Sequence, residues 1–284
     1  MSGHADAEDG YGGYMVRHHY RYEYTAPVSN VEQRLIMVPP DRHGTQVLTG
    51  FDLEVRGATG RLDVDWRTDA FGNRVCQVAA ERVDHAVDFE VWFCVQQAAE
   101  DTSSEIIGHE RRQAYLRFTA LTRADERIRR AARDIAEAAD TPPRRLDLAH
   151  EWVARAIRYQ PGVTGTQTPA ALALHLGLGV CQDYAHLLLS LLRTLKIAAR
   201  YVSGHLPGEG APHAWVEALL PDGRVMGCDP THQRDVDGRY IVVATGRDFA
   251  DVTSTSGVFT GGAIGKLHWS KYASKLNESV VPAA

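Results

Sequence analysis

Cysteine is scarce in this chain: Cys76, Cys94, Cys181 and Cys228 are the whole complement in 284 residues. No two of them form a CxxC pair, and their spacing fits no zinc knuckle. That excludes a disulfide-stapled small scaffold and a structural zinc ribbon. Cys76 and Cys94 fall in predicted strands and read as buried, reduced side chains rather than as a disulfide. No apolar run approaches the ~20 residues of a membrane-crossing helix. No Lys/Arg-rich patch appears, and the net charge of −5 speaks against nonspecific nucleic-acid binding. Internal repeats are absent. Met1 to Gly13 carries Gly, Asp and Glu without the apolar stretch of a secretory leader, so 1–13 is expected to be a mobile tail and the protein cytoplasmic.

What is present is an ordinary globular composition, 44% hydrophobic and 24% charged, in a length that suits one large or two medium domains. From Met15 the period is two. Val16, His18, Tyr20, Tyr22 and Tyr24 share one face, and Arg17, His19, Arg21 and Glu23 the other. Ala26 to Asn30 reads as a break, followed by a strand over Arg34–Val38 that Pro39-Pro40 stops. Further alternating runs follow at 51–56, 62–66, 75–78 and 87–95. Short strands with Gly, Asn and Pro turns predict an antiparallel β-sandwich-like domain over 14–122. From Ala124 the period becomes helical. Helices are expected over 124–139 and 145–159, with a short one from Thr168-Pro169 to Gly177. Strands are expected near 198–202, 213–220, 224–229 and 240–244. The Ser/Thr/Gly-rich stretch after Asp251 later gains Trp269 and Tyr272, and its place in the fold stays open.

The chain is organised around Gly177-Leu178-Gly179-Val180-Cys181-Gln182-Asp183-Tyr184-Ala185-His186. Two glycines break one helix, and the next begins at or beside Cys181 with an apolar stripe of Leu187, Leu188, Leu191, Leu192 and Leu195. A helix N-terminus presents unpaired N–H groups and a partial positive charge, which favours a thiolate, the nucleophilic form of cysteine. Lowering a cysteine pKa from about 8.5 to about 6 takes roughly 3.4 kcal/mol, and a helix terminus supplies about 1–2 of it. The remainder needs a cation, best an imidazolium with an orienting group behind it. His213 opens one predicted strand and Asp229 ends the next. The hairpin turn Pro221-Asp222-Gly223-Arg224 between them can bring the two together.

A lone cysteine at a helix start is usually a small core residue; here the order Cys, His, Asp adds to it. That order and its local wording resemble the transglutaminase-like superfamily, the papain-related cysteine enzymes. The matching stretches are Gly179 to His186, Ala198 to Gly204, His213-Ala214-Trp215-Val216-Glu217, and Asp229-Pro230-Thr231. Bacterial transglutaminase-like proteins with an N-terminal β-domain are the nearest likeness, echoed in Tyr24 to Ser29, Gly44-Thr45-Gln46 and Asp69 to Asn73. The resemblance runs from about Val16 to about Phe259. It implies an α+β fold in which an antiparallel β-sandwich-like domain precedes a papain-like core of helices packed on an antiparallel sheet, here 123–284.

The expected nucleophile is Cys181, the base and imidazolium partner His213, and the orienter Asp229. His186 and Asp183 are expected to be structural, Cys228 inert, and Trp215 either a shield for the site or core. One oxyanion donor should be the Cys181 backbone N–H; the second is open among Tyr159, Gln160 and Gln167. The donors His205, His213, Cys228, Asp229 and His232 match no zinc pattern, and no acidic cluster suggests calcium, so neither cofactor nor metal is expected. Together these features suggest a peptide or protein substrate, with neither nucleic acid nor membrane as partner. The expected chemistry is cysteine-dependent attack on a peptide or glutamine amide through a thioester, with water favoured over an amine as acceptor. The competing reading is a binding protein that keeps the fold without turnover.

Overall fold

The computed structural model describes residues 12–98 and 107–276. The expected N-terminal tail lies outside them as far as position 11, and Gly13 already opens the first strand. The chain runs β1 (Gly13–Tyr24), β2 (Val28–Leu35), β3 (Arg42–His43), β4 (Gln46–Thr68), β5 (Arg74–Gln97), α1 (His109–Leu116), α2 (Glu126–Ala138), α3 (Pro142–Ala156), β6 (Arg158–Tyr159), α4 (Ala170–Leu176), β7 (Leu178–Gly179) and α5 (Cys181–Thr194). Then come β8 (Ala198–His205), β9 (His213–Leu219), β10 (Val225–Asp229), β11 (Arg234–Asp235), β12 (Ile241–Gly246), a 3-10 turn (Phe249–Val252), β13 (Thr255–Thr260) and β14 (Gly265–Lys275).

The first unit is one continuous antiparallel sheet of seven strands built on β5. One edge of β5 carries β4 along its length. The other edge carries β2 on residues 76–83 and β1 on residues 86–96. Tyr14, Val16 and Tyr20 from β1 share a single core with Val31 and Leu35 from β2 and with Phe89 and Val91 from β5. The runs expected as separate strands at 51–56 and 62–66 are halves of β4, joined through register shifts. Those at 75–78 and 87–95 are likewise halves of β5. The expected break at Ala26–Asn30 differs too. β2 starts at Val28, and Asn30 sits inside it at φ +48, a conformation asparagine tolerates.

The sheet closes with residues from the far end of the chain. β13 pairs with β2, and β14 pairs with β1 over eleven residues. The sequence-based division gave 123–284 wholly to the core; strands 255–275 instead complete the first sheet. No local pattern encodes that return, because it is a pairing between positions some 250 residues apart.

The second unit is a five-stranded antiparallel sheet, β11-β10-β9-β8-β12, with α5 packed between β8–β9 and α2, α3 and α4. The leucine stripe expected on α5 understates its burial, since every residue from Asp183 to Arg193 is buried. A helix buried on every side sits in the middle of a core, and its polar residues Asp183, His186 and Arg193 are held by hydrogen bonds there. Leu187, Leu188, Leu189, Leu191 and Leu192 are fully enclosed, each worth about 1.5–3 kcal/mol against exposure. Among the described residues no helix is long and apolar enough to cross a membrane.

Candidate active site

Cys181 is the first residue of α5, and three local features fix it there. Gly177 caps α4 in the left-handed region at φ +67, its N–H donating to the Ala173 carbonyl. β7 then pairs in parallel with β6, Tyr159 opposite Gly179. Gly179 packs so closely on Asp183 that a Cβ there would lie 2.6 Å from the aspartate Cβ. The Asp183 carboxylate accepts from the Val180 N–H at 2.8 Å and from the Thr164 hydroxyl at 2.7 Å. Its role is thus to tie the glycine turn to the first helical turn. Burial raises its pKa, opposed by those two donors.

His213 and Asp229 meet as the hairpin predicts. His213 Nε2 lies 2.7 Å from Asp229 Oδ2, both groups buried. Cys181 is close enough to act electrostatically on the same imidazole. Burial alone would push the ring toward neutrality. The Asp229 and Cys181 partners outweigh it and raise the His213 pKa to about 10. Burial would raise the Asp229 carboxyl, but hydrogen bonds from His213, Tyr240 and His232 hold it well below the usual carboxylate range. His213 and Asp229 thus meet from a strand start and a strand end, and Cys181 lies at a helix start within electrostatic reach of the ring.

Three neighbours take places at the site that the sequence did not assign, His232 having been weighed there only as a metal donor. Tyr240 donates its hydroxyl to Asp229 Oδ2 at 2.7 Å. His232 Nδ1 lies 2.7 Å from the same oxygen, while Asp229 Oδ1 accepts from the backbone N–H groups of Thr231 and His232. Glu209, from the loop between β8 and β9, faces both His213 and His232. Each is an unremarkable loop or strand-end residue in sequence; only the proximity of His232 to Asp229 left a local trace.

Trp215 is fully buried among Val202, Leu206, Tyr240 and Val242, and also stacks against His213 with ring centroids 6.1 Å apart. It is therefore both core and a wall of the site. His186 is buried on α5, accepts from the Phe249 N–H, and is driven to a pKa of about 3 by burial, so it is a neutral structural residue. Cys228 lies in the core beneath the sheet, its thiol pushed up to about 12 by burial. Cys76 and Cys94 are free thiols at opposite ends of β5. Of the three upstream oxyanion candidates, Tyr159 is half exposed and within electrostatic reach of Cys181. Gln160 engages its backbone N–H with the Gly179 carbonyl. Gln167 is exposed.

Comparison with known proteins agrees with this architecture. An uncharacterised protein of Mycobacterium leprae is 36% identical over 156 residues, covering 51% of this chain and 55% of that protein. One of Mycobacterium tuberculosis strain H37Rv is 42% identical over 115 residues, 35% of this chain and 37% of that protein. The chain thus matches about half or less of the length of these curated relatives. A crystal structure from Cytophaga hutchinsonii, provisionally described as a cysteine protease, superposes with a TM-score of 0.75 at 20% identity, covering 96% of this chain and 93% of that one. Residues 14–96 match the bacterial transglutaminase-like N-terminal region and residues 129–230 the transglutaminase-like superfamily core. With both regions in order in one chain and the fold to match, the protein belongs to the transglutaminase-like superfamily.

Proposed function

We propose that this protein cleaves or transfers amide-linked acyl groups by cysteine catalysis, with hydrolysis as the favoured outcome. The observation that carries the reading is the His213 imidazole, bonded to the Asp229 carboxylate and within electrostatic reach of the Cys181 thiol. At neutral pH the ring is held as an imidazolium, which favours a thiolate beside it. In the proposed reaction the Cys181 sulfur attacks an amide carbonyl of a peptide or glutamine side chain. The oxyanion takes a hydrogen bond from the Cys181 backbone N–H, which is free of intrahelical pairing at the first position of α5. His213 gives its proton to the departing amine, leaving a thioester on Cys181. Water then attacks the thioester, His213 takes a proton from it, and the carboxylic acid leaves. An amine in place of water would give acyl transfer with the same charges. Hydrolysis is favoured because the site lies open: Cys181 is part exposed and Tyr159 half exposed.

The test has two arms. Iodoacetamide labelling of Cys181, mapped by mass across pH, is expected to proceed well below the titration range of a free thiol and to lose that advantage in His213→Ala. Labelling that rises only near pH 8.5, unchanged in His213→Ala, would remove the reading. Incubation of glutamine-containing peptides with and without a primary amine, against a Cys181→Ala control, then separates the outcomes. Amide cleavage without amine incorporation supports hydrolysis, and incorporation supports transfer.

A further inference from the structure

Glu209 stands four residues before His213, and its carboxylate bridges two imidazoles. Oε2 lies 3.3 Å from His213 Nδ1 and Oε1 lies 3.1 Å from His232 Nε2. Behind them Asp229 Oδ2 sits 2.7 Å from the remote nitrogen of each ring, His213 Nε2 and His232 Nδ1. One fully buried carboxylate therefore orients both rings and turns their other nitrogens toward Glu209. The donor atoms of Glu209, His213 and His232 all lie within 4.8 Å of one another.

This is how metal-binding histidines are held, with the non-ligating nitrogen on a carboxylate that fixes ring and tautomer. Two histidines and a glutamate form a ligand set suited to zinc, with one position left open. A tetrahedral ion with ligands about 2.1 Å away keeps those ligands roughly 3.4 Å apart. Each imidazole nitrogen lies at about that distance from a Glu209 oxygen, His213 from one and His232 from the other, so filling the site needs one oxygen to serve both rings and the three donors to close from within 4.8 Å of one another. The set differs from the donors adjacent in sequence. His205 pairs with His18 in another part of the fold, and Cys228 is buried in the core.

We infer that Glu209, His213 and His232 form a binding site for a zinc-class divalent cation, and that filling it switches the proposed reaction off. The cation would take His213 Nδ1, leaving the ring unable to exchange protons with substrate. Binding itself stands on the geometry alone; the inhibition rests on the function proposed above.

The probe is zinc chloride in titration calorimetry, with Cys181→Ala protein so that the thiol contributes nothing. One equivalent should bind, and adding Glu209→Gln or His232→Ala should weaken binding by at least about 10–100-fold. Glu209 is a part-exposed loop residue, so its substitution tests the site without threatening the core; circular dichroism checks each variant. In otherwise wild-type protein, stoichiometric zinc should slow iodoacetamide labelling of Cys181, and a chelator should restore it. Absence of binding to Cys181→Ala protein at 100 μM zinc, on the order of a weak site's Kd, would overturn the inference. So would binding that neither second substitution affects. Zinc binding without amide turnover would remove the proposed reaction and leave the site standing, whereas turnover without zinc binding would remove the site alone.

Discussion

Asp229 Oδ2 accepts from Tyr240 and faces one nitrogen each of His213 and His232, all at 2.7 Å, and this crowding decides how the site responds to pH. His213 has a folded-state pKa near 10 against 6.5 for an ordinary histidine. A raised histidine stabilises the fold fully below the lower value and loses that contribution as pH climbs through the higher one. Asp229 is shifted down, so its contribution is present above the usual carboxylate range and disappears toward acid. The thermal midpoint should therefore fall between about pH 6.5 and pH 10, and His213→Gln should flatten that slope when melting is followed across the range. A slope equal to wild type would mean the pair is not formed in solution. Tyr159 supplies a second test. If its hydroxyl is the other oxyanion donor, Tyr159→Phe should lower kcat by about 10²-fold with KM nearly unchanged, the size seen for loss of one such donor. Since Tyr159 is half exposed, its melting temperature should not move.

At the scale of elements, the site depends on how closely β8, β9 and β12 approach. Gly204 on β8 pairs with His213 on β9. A Cβ at 204 would come 2.0 Å from the Ile241 carbonyl oxygen on β12 and 2.5 Å from the Trp215 ring. A backbone atom cannot yield as a flexible side chain does, so Gly204→Ala should push β12 away or turn Trp215 off His213. The expected cost is about 1–3 kcal/mol of stability, the range for overpacked cores, with reduced Cys181 labelling in the protein that remains folded; urea denaturation reads the first and mass mapping the second. An unchanged variant would show the strands to be looser than drawn. Much at this scale was legible: four of the five strands of the second sheet (all but the two-residue β11), the hairpin at Pro221–Arg224, and the helix start at Cys181 all follow from period and turn chemistry. α1 was not, because His109–Leu116 is mostly polar, with one buried residue, Tyr115. Cys181, His213 and Asp229 could be picked out because motifs and strand ends mark them. Glu209 and Tyr240 could not, because nothing near them in sequence records what they touch.

The whole molecule explains why a β-domain precedes the core. β12 is an edge strand of the second sheet, and an unpaired edge leaves backbone groups without partners. Side-chain amides of the first unit satisfy them. Gln46 both accepts from the Val242 N–H and donates to its carbonyl, each at 2.8 Å. Asn73 does the same for Thr245 at 2.8 Å, and Gln97 donates to the Tyr240 carbonyl. Ile241 and Val243 of β12 pack into the first unit's core. Nearby, His43 from β3 lies 3.0 Å from Glu217 on β9, which also accepts from the buried Arg200. β12 thus ties the two units together, and the residue just before it, Tyr240, holds Asp229. Asn73→Leu would leave a buried N–H and a buried carbonyl at Thr245 unpaired, at about 1–3 kcal/mol each. Chemical denaturation should show a loss of that order, and hydrogen exchange should show faster exchange of the Thr245 amide while amides in α5 stay protected. The proposed activity should fall with it, since a loosened β12 frees Tyr240 from Asp229. If Asn73→Leu destabilised the first sheet and left β12 protection and turnover intact, the β-domain would be a neighbour of the catalytic unit and not a support for it.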